Sequence, residues 1–175
     1  MVPPKRNTFG PEQKGRKVEV LPSIGEINEE AALIVRTTYG DDLTWHAILR
    51  ELRQPWGEDE EFETPLHIID DPTWSGATID KVRTSARVSK RGGFLFIVDS
   101  TTVRHSHFAM LAIEVDPEHL APGATKETAP TNQTFRLEPA AVGEVHMLLS
   151  LGEKGFEEYV DEAERDSNNI VWSAF

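Results

Sequence analysis

The sequence predicts an α/β fold, and the main evidence is one pattern that occurs three times. In each case a short apolar run ends in acidic or hydroxyl residues, at positions 32–42, 66–72 and 94–102. The first two runs lead into helix-like sequence, which is the order expected of parallel strands joined by helices. We therefore expect a single layered domain whose mixed, partly parallel sheet of four to six strands is flanked by helices, with the first three strands parallel.

Composition divides the chain into an arm and a domain. Residues 1–28 are rich in proline, glycine and charge, so we expect a flexible N-terminal arm there, in which residues 18–21 could pair as an edge strand. Residues 29–175 are long enough to bury a core of their own, and we expect one α/β domain over them.

The composition also excludes several classes of function. The chain has no cysteine, which rules out disulfides, thiolate metal sites and cysteine nucleophiles. It has neither an apolar leader nor an apolar run of about 18 residues, so we expect a cytoplasmic protein with no membrane partner. The net charge of −12 repels a phosphate backbone, so we expect no nucleic-acid partner either. An unknown protein or a small polar ligand is then the expected partner, and the oligomeric state is open.

Apolar residues spaced as i, i+3, i+4 and i+7 predict the helices. Trp45 begins the first such stripe, which Asp41 or Asp42 can cap and which Pro55 ends. The same spacing predicts further helices over residues 78–86, 139–151 and 156–163.

The rest of the chain predicts two more strands and two loops. Residues 108–115 form a fourth strand, whose connection to the third is too short for a helical crossover, so it could run antiparallel to its predecessor or lie elsewhere in the sheet. A long loop over 116–132 leads to a short strand over 133–137, and the apolar end over 170–175 docks on the body. Residues 81–91 carry five basic residues and no acid, which predicts a solvated helix face and loop or, alternatively, an anion-recognition patch.

Five aspartates follow the predicted strands, at the ends where ligands bind in open α/β sheets: Asp41, Asp42, Asp70, Asp71 and Asp99. Because clustered carboxylates repel one another, their convergence would require a protonated member or a bound cation such as Mg²⁺. The alternative is that they act singly and cap helices and turns. We expect no cofactor, with a divalent cation as the open alternative.

Arg36 interrupts the first apolar strand close to its end, where a charge needs a partner. Asp70 or Asp99 from a neighbouring strand could form an ion pair with it, or Arg36 could clamp a carboxylate or phosphate of a ligand. In the second case Asp70 or Asp99 would act as general acid or base, with a pKa raised by crowded neighbours. The candidate catalytic residues are therefore Arg36, Asp70 and Asp99.

Further polar and aromatic residues lie close to these positions in the sequence. The candidate ligand-binding residues are Asp41, Asp42, Asp71, Thr101, Thr102 and Trp74. Trp56, Trp74 and Trp172 are expected to present an aromatic surface. The hydroxyls of Thr101 and Thr102 are alternatively no more than loop caps, because no base stands at a spacing that would activate them.

His105 and His107 are the candidate metal ligands. On an extended segment, side chains at i and i+2 point to one side, which suits Zn²⁺, Fe²⁺ or Ni²⁺ if Asp99 or His67 supplies a third ligand. The alternative is that both imidazoles are solvated and bind nothing. His146 lies beside the apolar stripe of its helix and is expected to pack in the core.

Five separate blocks of the sequence match those of a known family, in the same order. They are residues 33–45 (LIVRTTYGDDLTW), 70–78 (DDPTWSGAT), 94–102 (FLFIVDSTT), 134–139 (TFRLEP) and 148–159 (LLSLGEKGFEEY). With them the chain resembles a family of small, mainly actinobacterial proteins classed as a domain of unknown function. The resemblance implies a shared fold and family-type positions at Arg36, Asp41, Asp42, Trp45, Asp70, Asp71, Asp99 and Thr102. It implies no activity, and His105 and His107 depart from the family's pattern.

Two functions follow from these observations. No motif assigns a nucleophile, a general base or a cofactor loop, so the leading function is a binding or interaction domain that uses an acidic crevice at the strand ends. The alternative is a small cofactor-independent hydrolase, lyase or isomerase acting on a small polar or anionic molecule. In that enzyme Arg36 would clamp the anion, and Asp99 or Asp70 would be the general acid or base.

Overall fold

A six-stranded mixed sheet forms the centre of the structure, a computed structural model that describes residues 21, 24, 28, 30–88, 93–116 and 133–175. The strands are β1 (Ala32–Arg36), β2 (Leu66–Ile69), β3 (Gly93–Val98), β4 (Met110–Asp116), β5 (Thr134–Leu137) and β6 (Ile170–Val171). Their order across the sheet is β2-β1-β3-β4-β5-β6. Strands β2, β1 and β3 are parallel, β4 is antiparallel to both β3 and β5, and β6 is parallel to β5. The predicted mixed α/β sheet with three parallel leading strands is confirmed.

Helices cover both faces of the sheet. In the described residues they are α1 (Asp42–Leu52), α2 (Ile79–Val88), α3 (Ser100–Arg104), α4 (Val142–Leu151) and α5 (Phe156–Arg165), with 3-10 turns at Pro72–Trp74 and Pro139–Ala141. Helices α1, α4 and α5 pack on one face, in a buried cluster that includes Trp45, Val145 and Phe156. Helix α2 packs on the other face beside Trp74, which is fully buried there. None of the described helices is both long and apolar enough to cross a membrane.

Side chains in β1 alternate between the two faces, as strand geometry requires. Ala32 and Ile34 belong to the core under α1, α4 and α5, whereas Leu33 and Val35 belong to the core under α2. By the same alternation, the Arg36 side chain lies on the face of the sheet that α1 covers. The alternation therefore decides which strand-end side chains can meet.

Local signals set the helix ends where the sequence predicts them. The Asp41 carboxylate accepts the Thr44 N–H at 3.0 Å, so Asp41 rather than Asp42 is the N-cap of α1. Gly152 ends α4 in the left-handed region, with a φ of 69° that glycine adopts without strain.

Two elements differ from the prediction because they are too short to show a period. The sequence predicts a loop after Asp99, but α3 starts there, and Asp99 and Thr102 form a reciprocal capping box. The C-terminal segment docks as predicted, but it does so as strand β6. The predicted arm over 1–28 lies outside the described residues except for positions 21, 24 and 28, and so does the predicted loop over 116–132 except for Asp116.

The basic segment over 81–91 has a structural role in the part that is described. The Arg83 Nε donates to the carbonyl oxygen of Glu114 at 2.8 Å, and the Arg87 Nε donates to that of Val115 at 2.7 Å. These bonds hold α2 against β4. The predicted solvated face is wrong for Arg83, which is buried.

Candidate functional site

Arg36 is the centre of an ion-pair network at the carboxyl end of β1. Its side chain is only 5% exposed. The guanidinium donates to Asp42 Oδ1 at 2.9 Å and to Asp70 Oδ1 at 3.2 Å, and its Nε donates to the Thr38 carbonyl oxygen at 2.9 Å. The ion-pair alternative for Arg36 and Asp70 therefore matches the geometry, with Asp42 as a second partner.

Two aromatic rings enclose this guanidinium. Its Cζ lies 4.4 Å from the ring centroid of Tyr39 and 4.9 Å from that of Trp45, within the range of cation–π attraction. The Trp45 Nε1 donates to Asp70 Oδ2 at 2.9 Å, and the Tyr39 hydroxyl donates to the Asp71 carbonyl oxygen at 2.7 Å. Burial, reinforced by the Asp70 charge, raises the pKa of Tyr39 to about 12, so this hydroxyl stays a donor at neutral pH.

Asp99 belongs to a separate network on the opposite face of the sheet. Arg36 pairs in register with Val98, so Asp99 comes one residue later and points to the other side. Its Oδ2 accepts from the Arg136 guanidinium at 2.7 Å, while its Oδ1 accepts the Thr102 N–H at 2.8 Å. The sheet therefore separates Asp99 from Arg36, and the three candidate catalytic residues do not meet at one point.

The pKa of Asp99 is lowered, which corrects the expectation of a raised one. Partial burial raises the pKa, but the hydrogen bonds from Arg136 and the Thr102 N–H, together with the Arg136 charge, outweigh it. Asp99 is thus ionised at neutral pH and holds no proton to donate. Arg136 was not a candidate from the sequence, although a single arginine between the apolar Phe135 and Leu137 is the same signal that singled out Arg36.

This network predicts that the variant Asp99→Asn loses stability in a pH-dependent way. Removing the charge weakens the bonds to Arg136 and the α3 N-terminus, so we expect the free energy of unfolding near pH 7 to fall by about 2 kcal/mol. A depressed folded-state pKa contributes stability above the unfolded-state value of about 3.9 and loses it as pH falls through the folded-state value. Denaturant titrations near pH 7 and pH 3 should therefore show the two proteins converging in acid. A gap of constant size would contradict this assignment.

The other aspartates act mainly as caps. Asp71 accepts the Thr73 N–H at 2.9 Å and starts the Pro72–Trp74 turn, as Asp41 starts α1. These hydrogen bonds lower the pKa of both carboxyls. Among the described residues, no group of three or more histidine, aspartate or glutamate side chains is placed to hold a metal ion. The Arg36 guanidinium offsets part of the charge of Asp42 and Asp70.

His105 and His107 are brought close together, with ring centroids 5.9 Å apart. The His105 Nδ1 accepts the His107 N–H at 3.2 Å, and the His107 ring packs edge-on against Trp172 at 4.8 Å. Of the two proposed third ligands, Asp99 is held by Arg136, and among the described residues His67 completes no group of three ligands either. The three side chains therefore do not form the predicted set of ligands.

The predicted aromatic surface is wrong for two of its three tryptophans. Trp74 is fully buried in the core, and Trp56 is 8% exposed because Phe62 and Phe175 pack around its ring. Thr102 is also fully buried, where its hydroxyl lies 3.1 Å from the Ala109 carbonyl oxygen. Trp74 and Thr102 therefore support the site from inside and offer no surface to a ligand.

A feature that the sequence pattern does not reveal lies beside the start of β2, away from the carboxyl ends of the parallel strands. An open groove of about 400 Å³ runs between α4 and the segment 56–65. Its apolar lining is Trp56, Phe62, Pro65, Gly143, Met147 and Leu151, and we call it the apolar groove. The one hint of this groove in the sequence is Phe62, a phenylalanine within the acidic run at 57–63. Such a run is readily mistaken for a solvated loop.

The comparisons with known proteins identify a family. A family model described as "Domain of unknown function (DUF6924)" matches residues 31–169. No curated protein matches the chain. The matched span contains both ion-pair networks and nearly all of the apolar groove.

Proposed function

The chain belongs to the DUF6924 family, whose description assigns no activity, and from the charged side chains on its surface we propose that the chain is a binding domain. The proposed binding surface is the acidic rim, which we define as Asp41, Asp42, Asp70 and Asp71. The proposal includes a cytoplasmic location, with which a cysteine-free chain is compatible.

The observation that carries this proposal is the state of the charged side chains at the strand ends. Arg36 is enclosed by two rings and two carboxylates, and Asp99 is ionised and paired with Arg136. Groups that already bind each other this closely are poorly placed to bind and release a substrate or to exchange protons. Such an arrangement favours a fixed surface over a reactive one.

The acidic rim has the properties of a contact surface for a basic protein. The Asp42 side chain is 77% exposed and that of Asp70 is 39% exposed, while Arg36 beneath them supplies a single positive charge. Leu43, in the first turn of α1, is 88% exposed beside them and offers an apolar contact. Negative charge around an exposed apolar side chain steers a basic partner and then anchors it.

The test uses two matched leucine variants of the full chain as baits in a pull-down from the native source. Leu43→Lys places a positive charge in the acidic rim, whereas Leu151→Lys, at a 64% exposed position at the end of α4, changes the net charge equally. We expect a basic protein that binds the wild type at low salt to be lost with Leu43→Lys and retained with Leu151→Lys. If quantitative mass spectrometry finds no protein with this pattern, the acidic rim is not the binding surface.

An enzyme would require the same residues to change their partners and protonation. Arg36 would have to leave Asp42 and Asp70 to hold an anion, and a general acid at Asp99 would need a raised pKa where the geometry lowers it. The binding function needs neither change, which is why we favour it.

A further inference from the structure

We propose that the outer side of the edge strand β2, with the groove beside its start, is a second docking site, for an extended segment of a partner protein that carries a large apolar side chain next to lysine or arginine. This site is distinct from the acidic rim, whose Asp70 and Asp71 follow the other end of β2. It begins from two adjoining grooves: the apolar groove and a second one of about 380 Å³, lined in part by Arg53, Leu66 and Ile68, which we call the edge groove. Glu63 and Thr64 line both.

Within the described part of the chain, the edge groove exposes backbone groups of β2 that pair with no other strand. Among the described strands, β2 is the end of the sheet and pairs only with β1. The Ala32 N–H donates to the Pro65 carbonyl oxygen at 2.8 Å. In a parallel ladder the bonding groups alternate, so the N–H and C=O groups of Leu66 and Ile68 point away from β1. An extended peptide can pair with these groups and continue the sheet.

The apolar groove gathers most of the exposed large apolar side chains. Of the four in the described part of the chain, Phe62 at 44% and Leu151 at 64% line this groove, and Phe175 at 59% lies against Trp56 with ring centroids 6.4 Å apart. Apolar side chains concentrated in this way typically mark an interaction site. The groove therefore supplies a place for an apolar anchor residue of the same peptide.

The wall that carries Phe62 is a fixed structure. Trp56 and Phe62 exchange two backbone hydrogen bonds, at 3.0 and 3.1 Å, and their rings pack with centroids 4.8 Å apart. The Trp56 Nε1 also donates to the Thr64 hydroxyl at 2.9 Å. Phe62 is thus held out over the groove by its neighbours rather than left exposed by a loose loop.

The charges around both grooves select a basic partner. Glu30 and Glu63 line the apolar groove and are exposed, and the wall adds four exposed acids: Glu58, Asp59, Glu60 and Glu61. Arg53 is the basic residue lining the edge groove. A second copy of this chain would bring the same acids against each other, so the charge pattern favours a different, basic chain over self-association.

The shape favours an extended peptide over a compact molecule. From Gly143 to Leu151 the apolar groove follows about 12 Å of helix α4, and strand β2 adds about 13 Å. Each section is long enough for about four extended residues.

Panning a phage-displayed library of random twelve-residue peptides against the full chain tests this site. We expect enriched peptides to carry a leucine, phenylalanine or tryptophan next to lysine or arginine. The strongest of them, synthesised with a fluorescent label, should bind about ten-fold more weakly to Leu151→Glu and to Phe62→Ser. Binding to Leu43→Ser, the matched exposed position on the acidic rim, should not change. A copy of the peptide methylated on alternate backbone nitrogens should also bind more weakly.

Each other result overturns the proposal. No enriched sequence, or acidic enriched sequences, would contradict a basic ligand. Peptide binding that is unaffected by Leu151→Glu and Phe62→Ser would place the peptide elsewhere. A dimer in solution that Leu151→Glu dissociates would show that a second copy occupies the edge. Because Leu43→Ser serves only as the control here, failure of this site leaves the acidic rim to be judged by its own pull-down.

Discussion

Replacing Arg36 with alanine is expected to lower the free energy of unfolding by about 3 kcal/mol, near the lower end of the cost of breaking a buried ion pair. The side chain is 5% exposed, and its removal leaves Asp70 and Asp42 without their shared cation. The rings of Tyr39 and Trp45 lose the guanidinium packed between them. The loss stays at the lower end because the Asp42 carboxylate is largely exposed and can be solvated. Urea or guanidinium denaturation followed by tryptophan fluorescence measures it.

Two companion variants make this result interpretable. Arg36→Lys keeps the charge but loses the fork that reaches two carboxylates, so its loss should be intermediate. Arg165→Ala removes a cation paired with Asp161 at 3.4 Å, where the side chains are 76% and 62% exposed, and should cost less than about 0.5 kcal/mol. Equal losses for Arg36→Ala and Arg165→Ala would mean that the buried network contributes nothing special.

Gly143→Ala is expected to destabilise the domain by about 2 kcal/mol, although alanine normally stabilises a helix by about 1 kcal/mol over glycine. Gly143 lies in the first turn of α4, and a Cβ there would stand 2.5 Å from two Trp56 ring atoms and 2.7 Å from the Thr64 Oγ1. The Trp56 ring is 8% exposed and is held by Phe62 and by its hydrogen bond to Thr64, so it cannot swing away freely. The substitution should therefore separate α4 from the segment 56–64 and weaken the Trp56–Thr64 hydrogen bond.

The matched control is Ser150→Ala, at an exposed position of the same helix. It should follow helix propensity alone and stabilise the protein by a few tenths of a kcal/mol. Thermal and chemical denaturation of both variants, with near-ultraviolet circular dichroism to report on Trp56, measure the contrast. Gly143→Ala as stable as the wild type would show that the helix and the loop can separate at no cost.

The parts of the fold that the sequence predicts correctly are those encoded by local pattern. Continuous apolar runs predict β1 and β3, and the cap at Asp41 and the glycine at Gly152 predict helix ends. The face on which Asp99 lies could not be predicted, because it depends on the register that pairs Arg36 with Val98; with that register known, strand alternation places the next residue on the other side. The partner Arg136 is hard to predict as well, because it lies 37 residues from Asp99 in sequence.

The apolar groove could not be predicted from pattern. Its walls come from three parts of the chain, near Glu30, Phe62 and Met147, whose contact depends on how α4 packs against the loop that leads into β2. Each part has an ordinary local interpretation: the first leads into strand β1, the second is an acidic loop and the third is an apolar helix. Only tertiary packing brings their exposed apolar side chains together.

The firm attachment of the Trp56–Phe62 segment has a consequence for the entropy of any association at that edge. The segment is tied to itself by two backbone bonds, to Thr64 by the indole N–H and to α4 by the close approach at Gly143. The segment therefore loses its conformational freedom when the domain folds, and it loses little more when a peptide binds. The conformational entropy lost on binding at this site is therefore mainly that of the bound peptide. The surface should discriminate between peptides by how readily each adopts an extended conformation as well as by its side chains.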